Sequence, residues 1–331
     1  MSHFKAFEVA EVSEKQFQGS MIERSVEELP EGEVLISVHY SSLNYKDALS
    51  ASGNRGVTRE YPHTPGIDAA GTVLSSVSDK FQVGQEVLVT GYDLGMNTAG
   101  GFGQMIRVPA NWVIALPAGL DMAMSMRLGT AGLTAGLCVD ALLRSGLETN
   151  SGEVLVTGAT GGVGIVAVAI LAKLGFEVVA STGKPEAQEV LQGIGASSIL
   201  DRNEISEASP KPMLRERWAG AVDVVGGDTL FNVIKALTYG GSVAACGLVQ
   251  SPMFQASVLP FILRGVNLLG VDSVELPLAR KQDIWNKLAN DWQFNGLEQL
   301  CTEITLDQLD ASLRTVLAGG ATGRFLLNLQ A

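Results

Sequence analysis

The feature that most constrains this chain is a glycine loop between a strand-like run and a helix-like run. Residues 154–157 are apolar or β-branched, GATGGVG follows at 158–164, and apolar residues at helical spacing fill 165–174. A second strand-like run begins at Glu177. Strand, loop, helix and strand in this order predict two parallel strands joined by a crossover helix.

The same alternation continues to residue 271. It predicts a parallel sheet with helices on both faces. The predicted strands are 153–157, 177–181, 198–200, 221–225, 242–245 and 268–271, and the predicted helices include 163–174, 185–194 and 230–237. The fold class is therefore α/β, with a doubly wound parallel sheet of the Rossmann type.

The glycine loop has the features of a dinucleotide-binding turn, because backbone N–H groups and the positive helix end can face a pyrophosphate. Gly161 would allow close approach of the ligand, and Gly164 would let the helix pack tightly on the strand. With Gly162 and Val163, they are the candidate cofactor contacts of this loop. Ala159 replaces the first glycine of the strict GxGxxG pattern. A purely structural turn is the alternative, since tight turns also need glycine.

The residues about 20 positions further along favour NADPH over NADH, because an NAD site normally offers an acidic residue there. This chain has Ser181, Thr182, Gly183 and Lys184 instead. Without a carboxylate, a 2′-phosphate is not repelled, and hydroxyls, a backbone N–H and the Lys184 ammonium can hold it. Arg202 follows the next predicted strand and can stack on the adenine or pair with the phosphate. The alternative for both cations is a solvated surface position.

A second, β-rich domain is predicted for the first third of the chain. Short β-type runs at 34–38, 71–74 and 86–89 are punctuated by Gly and Pro, which favours a rolled or barrel-like sheet. Small and apolar residues at helical spacing follow, with a boundary near Ser125. The tail has helix-like stretches at 280–290 and 306–317, and the apolar run 325–327 can return to the first domain as a strand. The predicted domains are residues 1–125 with 275–331, and residues 126–274.

Composition excludes several classes of protein. The chain is 46% hydrophobic and 18% charged, which favours a large core over disorder. Its net charge of -12 argues against nucleic-acid and anionic-membrane partners. Cys138, Cys246 and Cys301 are odd in number and far apart, so neither a disulfide framework nor a CxxC metal clip is predicted. With no secretory signal predicted, we expect a cytoplasmic protein.

Several motifs resemble those of a known family. SSLNYKD at 41–47, PGIDAAG at 65–71 and GGVG at 161–164 resemble medium-chain dehydrogenases/reductases of the quinone oxidoreductase branch. Adding AACGL at 244–248 and PFILRGVNLLGVDSV at 260–274, the chain resembles the NADPH-dependent acrylyl-CoA reductases of that branch over essentially its whole length. The resemblance implies NADPH as cofactor and a GroES-like catalytic domain beside the Rossmann domain.

The wider superfamily also contains zinc alcohol dehydrogenases, whose loop corresponding to residues 65–68 carries GHE with a metal-binding histidine. This chain has Ile67 at that position, and a Cys-rich zinc lobe is missing. A catalytic zinc needs about three protein ligands at one place, and the few Cys and His residues offer no such cluster. We predict no metal, with His39 and His63 structural or at the surface, and Asp68 only fixing the turn.

Without zinc, reduction of an activated C=C bond is easier to explain than alcohol oxidation. Hydride from the nicotinamide would add to the carbon β to a thioester carbonyl, and charge would move to the oxygen as an enolate. A proton would then be delivered at the α carbon. The protein must orient the reactants, donate hydrogen bonds to the enolate and supply that proton.

The candidate catalytic residues lie in SLNYKD. Tyr45 is the candidate contact to the nicotinamide end and a candidate proton donor, with water as the alternative donor. Asn44 is a candidate hydrogen-bond donor to the enolate, and Lys46 can bind an anion or tune Tyr45. The structural alternative is that Asn44 is a helix N-cap and Asp47 completes a capping box, with Tyr45 half-buried.

Further cofactor contacts follow from topology, since ligands lie beyond the carboxyl ends of parallel strands. Gly247 and Leu248 follow one predicted strand, and Ser273 follows another. The resemblance implies additional contacts from Ile262 and Arg324. For Leu248 and Ile262 the alternative is an ordinary core position.

The expected function is NADPH-dependent reduction of acrylyl-CoA to propanoyl-CoA. Arg55, Arg59 and Arg107 are candidate contacts to CoA phosphates, or else solvated cations. The alternatives are an NADPH:quinone oxidoreductase or general enone reductase, and a non-catalytic nucleotide-binding regulatory or RNA-associated protein. The acidic composition disfavours RNA. The segment 266–274 resembles the strand by which such proteins form homodimers, and a buried edge is the alternative.

Overall fold

The computed structural model describes residues 3–331, which divide into two compact units. The first contains residues 3–130, Ser273–Asn290 and Leu297–Ala331, and the second contains Ala131–Asp272 and Asp291–Gly296. The first division lies between Thr130 and Ala131, inside the helix Met122–Arg144, which also contains the predicted boundary near Ser125. The segment Asp291–Gly296 groups with the second unit, which interrupts the predicted 275–331 segment.

Fifteen strands and nine α-helices are found in residues 3–331. The strands are β1 His3–Ser13, β2 Gln16–Ser25, β3 Val34–Ser42, β4 Asp68–Ser76, β5 Glu86–Thr90, β6 Met105–Val108, β7 Val113–Ala115, β8 Val154–Val156, β9 Val178–Thr182, β10 Ser198–Asp201, β11 Trp218–Asp223, β12 Leu237–Ala245, β13 Asn267–Gly270, β14 Cys301–Ile304 and β15 Arg324–Asn328. The helices are α1 Tyr45–Ala51, α2 Met122–Arg144, α3 Gly162–Lys173, α4 Gln188–Gly193, α5 Asn203–Ser206, α6 Gly227–Ala236, α7 Leu259–Arg264, α8 Leu278–Ala289 and α9 Leu309–Leu317.

The first unit is built on a seven-stranded, mostly antiparallel sheet. Its strand order is β14-β15-β3-β4-β5-β7, and β6 pairs with β3. Alternate residues of β3, namely Val34, Ile36 and Val38, are buried in the core of this unit, as half-buried strands require. The predicted return of the tail is confirmed, because Leu326 of β15 lies opposite Ser42 of β3.

The second unit confirms the predicted doubly wound sheet. Its six parallel strands have the order β10-β9-β8-β11-β12-β13, so the chain proceeds outwards from β8 in one direction and from β11 in the other. Ligands of such sheets bind beyond the carboxyl ends of the strands at this reversal. β8 is wholly buried, and most of α3 packs as a core helix.

Helix α2 is long and apolar enough to cross a membrane by length and composition alone. However, 83% of its most apolar window is buried within the protein. Such burial is expected of a core helix in a globular protein.

Candidate active site

The glycine loop of the second unit runs from β8 directly into the first turn of α3. A Cβ atom at Gly164 would collide with the carbonyl oxygen of Gly158, so the helix can pack this closely only on glycine. At Gly161 a Cβ would meet nothing nearer than the Gly158 oxygen at 3.4 Å. The space in front of Gly161 is therefore not filled by protein, and N–H groups of the first turn have no intrahelical partner. This arrangement fits a pyrophosphate.

Two further loops are fixed against the glycine loop. The Ala159 N–H donates to the Ser181 carbonyl oxygen at 3.0 Å, which links the glycine loop to β9. Thr157 Oγ1 donates to Asp223 Oδ1 at 2.7 Å, which links it to the end of β11. Burial raises the pKa of Asp223, while the hydrogen bonds from Thr157 and from the N–H of Gly226 act to lower it.

The predicted ribose-phosphate residues differ in how accessible they are. Ser181 and Thr182 are buried, and the Thr182 hydroxyl accepts a hydrogen bond from the Lys184 N–H at 3.1 Å. The Ser181 and Thr182 hydroxyls are therefore less accessible to a ligand than predicted. Gly183 and Arg202 are exposed and Lys184 is half-buried. The Arg202 side chain lies against Gly183, so the structure brings the two predicted cations to the same loop.

The apolar residues predicted to contact the cofactor are not core residues. Leu248 is 55% exposed and Ile262 is 68% exposed. Hydrophobic side chains with such exposure in one stretch of chain commonly mark a binding surface. Ser273, by contrast, is buried and belongs to the first unit.

In the first unit, a buried polar cluster surrounds the carboxylate of Asp68, the first residue of β4. Asp68 Oδ2 accepts hydrogen bonds from Asn44 Nδ2 at 2.7 Å, from the Thr130 N–H at 2.8 Å and from the Ser42 hydroxyl. The Thr130 hydroxyl donates to Asp68 Oδ1 at 2.6 Å. Asp68 thus does more than fix a turn, because it joins the end of β3, the start of α1 and the helix α2.

The amide of Asn44 is committed to this cluster. Besides its bond to Asp68, Asn44 Nδ2 lies 3.3 Å from Asp47 Oδ2 and 3.4 Å from the Ser42 hydroxyl. Carboxylate oxygens accept hydrogen bonds, so the NH2 end of the Asn44 amide faces Asp47 and Asp68. The predicted role of Asn44 as donor to an enolate is therefore not supported. The predicted capping box is present at the start of α1, where the Asn44 N–H donates to Asp47 Oδ2 at 2.8 Å.

Asp47 is a fully buried carboxyl next to this cluster. Burial, followed by repulsion from Asp68, raises its pKa to about 7, although hydrogen bonds from Ile67 and Asn44 act in the opposite direction. Asp47 Oδ1 accepts from the Ile67 N–H at 2.9 Å. Asp47 therefore holds the PGID loop against α1, and its charge changes near neutral pH.

Helix α2 breaks beside the cluster, at Gly129. The backbone of this residue has φ 53° and ψ -156°, and a Cβ there would lie 2.6 Å from Asp68 Oδ2 and overlap the Ser42 hydroxyl. At this break the Thr130 N–H donates to Asp68 Oδ2. Arg324 closes the other side, with Nε donating to the Arg127 carbonyl oxygen at 3.0 Å and Nη1 to that of Leu43 at 3.2 Å. The side chain of Arg324 is thus buried in the cluster, with 4% exposed, and its contact to the cofactor stays a prediction of the resemblance.

Tyr45 is the accessible member of the predicted catalytic pair. It is the first residue of α1 and is 38% exposed, whereas Asn44 is 9% exposed. From this exposed position the Tyr45 side chain can contact a bound ligand. Lys46 is half-buried on the same helix.

The three arginines considered for CoA phosphates have different surroundings. Arg107 donates to the carbonyl oxygens of Val26 and Leu29 at 3.2 Å, which is a structural role. Arg55 pairs with Glu11 at 2.5 Å and lies over the Tyr61 ring. Arg59 is exposed.

In residues 3–331, no group of three or more His, Cys, Asp or Glu side chains is arranged to hold a metal ion. Ile67, at the position of the zinc ligand in the metal enzymes, is buried.

Sequence reasoning missed Thr130, Ser42 and Asp223 as members of the two sites. Thr130 lies 62 residues from Asp68 in the chain, and Asp223 lies 66 residues from Thr157. The only local signal was at Asp223, which lies within the predicted strand 221–225 and is the last residue of β11. Ligand sites collect beyond the carboxyl ends of such parallel strands.

Comparison with known proteins gives a consistent picture. Residues 30–118 match the family described as alcohol dehydrogenase GroES-like domain, and residues 162–290 match the family described as zinc-binding dehydrogenase. The chain is 45% identical to the acrylyl-CoA reductase AcuI of Ruegeria pomeroyi over 314 residues, which is 95% of each protein.

Two solved structures are also similar. Escherichia coli YHDH with bound NADPH is 42% identical, with a TM-score of 0.95 over 98% of this chain and 100% of that one. Bacillus subtilis yhfP with bound NAD is 40% identical, with a TM-score of 0.96 over 99% of this chain and 100% of that one. The chain therefore belongs to the medium-chain dehydrogenase/reductase family of oxidoreductases, in the group that contains AcuI and YHDH.

Proposed function

We propose that the protein catalyses the NADPH-dependent reduction of the C=C bond of acrylyl-CoA to give propanoyl-CoA. The observation that carries the proposal is the 45% identity to AcuI over 95% of both proteins. The geometry adds support, because a loop suited to pyrophosphate and an exposed tyrosine beside a buried polar cluster are both present. Oxidoreductases of this kind need such groups to orient reactants and to supply a proton.

The cofactor would be held first by the glycine loop. N–H groups of Gly162, Val163 and Gly164 in the first turn of α3 would face the pyrophosphate, with open space at Gly161. Leu248, Ile262 and Ser273 are proposed as further contacts.

The preference for NADPH rests on the loop after β9. YHDH binds NADPH and yhfP binds NAD, so the fold alone does not decide between the two cofactors. In this chain Lys184 and Arg202 lie at the same exposed loop, where an anionic 2′-phosphate would gain charge-assisted hydrogen bonds. Burial lowers the pKa of Lys184, and a bound phosphate would stabilise its charged form.

When bound, NADPH supplies the hydride for this chemistry. The protein's own part is to orient the thioester and to deliver a proton at the α carbon. Tyr45 is the proposed proton donor, since its phenol is accessible at the start of α1. The Asn44–Asp68 hydrogen bond at 2.7 Å fixes the residue just before Tyr45, so the cluster would set the position of the phenol.

An NADPH:quinone oxidoreductase is the second candidate function. The Bacillus subtilis relative YhfP, 43% identical over 92% of this chain, carries a quinone oxidoreductase name. A quinone is an electron-poor acceptor that the same cofactor arrangement could serve. A general enone reductase and a non-catalytic nucleotide-binding protein are the remaining alternatives.

We also propose a cytoplasmic homodimer formed through β13. This strand is at the edge of the six-stranded sheet, and Leu268 on it is 40% exposed. Exposed apolar residues precede it in the same unit, at Val249, Met253, Val258 and Leu263. An open edge beside an apolar surface favours pairing with a second copy.

The test is an anaerobic assay of NADPH consumption with acrylyl-CoA, crotonyl-CoA and a simple quinone, and with NADH in parallel. The proposal predicts the highest kcat/KM for acrylyl-CoA with NADPH. A higher value for the quinone would favour the second function. Tight NADPH binding without turnover of any acceptor would favour the non-catalytic alternative.

A further inference from the structure

A buried lysine of the first unit lies outside the groups assigned above. Lys281, in the first turn of α8, is fully buried. Its Nζ donates to the carbonyl oxygen of Thr90 at 2.7 Å and to that of Val274 at 2.8 Å. Nζ also lies 3.4 Å from the centre of the Tyr92 ring. An ammonium has three donors, and here two carbonyl oxygens and one aromatic face are available to them.

The same residues are held by further contacts. The Tyr92 N–H donates to the Val274 carbonyl oxygen at 3.1 Å, and the Tyr92 hydroxyl donates to that of Leu276 at 3.1 Å. Tyr92 has φ 53°, which a non-glycine residue seldom adopts without compensating contacts. Its ring also stacks on Trp112 with centroids 5.6 Å apart. We call Thr90, Tyr92, Val274, Leu276 and Lys281 the lysine clamp.

The lysine clamp fixes the segment that carries Ser273. Gly91, between Thr90 and Tyr92, lies against this segment, because a Cβ added there would be 3.1 Å from the Val274 Cα and 3.3 Å from the Ser273 carbonyl oxygen. Three of the clamp's hydrogen bonds end on main-chain oxygens of residues 274 and 276. The main chain on the C-terminal side of Ser273 is thus held in place from β5 and from α8.

We propose that Lys281 is a positioning residue that fixes residues 273–276 so that Ser273 can contact the cofactor. This inference rests on the proposed function, because Ser273 is a proposed cofactor contact. A lysine is suited to the task, since one buried side chain ties two loops together through fixed carbonyl oxygens. Its removal would take the ammonium donor away from both buried oxygens and leave the Val274 oxygen with the Tyr92 N–H, which is costly.

The test compares wild type with Lys281→Met, and uses Lys287→Met on the same helix as the control. Hydrogen exchange of the cofactor-free protein is read at the peptide containing Ser273. NADPH affinity is read by fluorescence titration. We expect faster exchange at residues 273–276 and a Kd for NADPH raised about tenfold in Lys281→Met, with both unchanged in the control.

Different results separate the inference from the proposed function. Unchanged exchange or an unchanged Kd in a folded Lys281→Met variant would overturn the inference, since a merely structural lysine would lower only the melting temperature. Failure of wild type to bind NADPH would contradict the proposed function, and the exchange measurement would still decide whether Lys281 fixes the segment.

A milder variant covers the case in which Lys281→Met does not fold. Tyr92→Phe keeps the ring under Lys281 but removes the hydrogen bond to Leu276. Combined with Ser273→Ala, it forms a double-mutant cycle read as the Kd for NADPH. We expect the two effects to be non-additive, because both act on one contact. Additive effects would overturn the inference.

Discussion

The carboxylate of Asp68 links three elements of the first unit, namely β3, α1 and α2. It accepts hydrogen bonds from Ser42, Asn44 and both donors of Thr130, so every oxygen is used. A buried carboxylate is stable only with such partners. Asp47, close by, is fully buried, and this burial, followed by repulsion from the Asp68 carboxylate, raises its pKa to about 7.

The raised pKa of Asp47 makes stability depend on pH. Its pKa is about 7 in the folded protein, against the ordinary value of 3.8 for an aspartic acid side chain. Between these values the folded state binds the proton and the unfolded state does not, so the contribution of Asp47 to the free energy of unfolding falls as pH rises. We expect the stability of wild type relative to Asp47→Asn to fall from pH 3.8 to about 7 and then to level off.

Urea unfolding across this pH range measures the effect. Asp79→Asn, at an exposed position of the same unit, is the control and should differ from wild type equally at all pH values. The prediction would be wrong if the free energy of unfolding of wild type, minus that of Asp47→Asn, increased with pH.

The proposed preference for NADPH depends on two side chains, those of Lys184 and Arg202. Replacing both Lys184 and Arg202 by Ala should raise the Kd for NADPH about tenfold or more, because charge-assisted hydrogen bonds to the 2′-phosphate would be lost. The Kd for NADH should change little. Lys173→Ala, exposed at the end of α3, is the matched control. An equal loss of affinity for both cofactors would show that these cations do not distinguish NADPH from NADH by its 2′-phosphate.

At the scale of elements, sequence pattern predicted the second unit well and the polar cluster poorly. The strands of the parallel sheet and α3 follow from local apolar runs and one glycine loop, so a window of a few residues contains the signal. The break in α2 has no such signal, since Gly129 is one small residue in an apolar helix. Its cause is the fit to Ser42 and Asp68, which are distant in the chain.

The helix break predicts a large effect for Gly129→Ala. A Cβ there would overlap the Ser42 hydroxyl, and the backbone is left-handed, so we expect a loss of at least about 3 kcal/mol in the free energy of unfolding. Gly146→Ala is the control, because it has φ 94° but nothing within 4 Å of the added atom. It should cost about 1 kcal/mol from backbone conformation alone. Equal losses in the two variants would show that the cluster does not require the break.

At the scale of the whole molecule, the exposed edge of β13 predicts self-association. Leu268→Glu would place a charge on this edge, which disfavours strand pairing. We expect light scattering after size exclusion to give a dimer for wild type and a monomer for the variant. Val77→Glu, 86% exposed in the first unit, should remain a dimer. A monomeric wild type would contradict the proposed assembly.

In the proposed reaction, reducing equivalents pass from NADPH directly to an electron-poor C=C bond. This transfer is tested most directly with NADPH carrying deuterium at the transferred position of nicotinamide C4 and with acrylyl-CoA as acceptor. Mass spectrometry of the product then locates the label. We expect propanoyl-CoA with one deuterium on the carbon β to the thioester carbonyl. Deuterium-free product, or labelled cofactor consumed without formation of propanoyl-CoA, would contradict the proposed reaction.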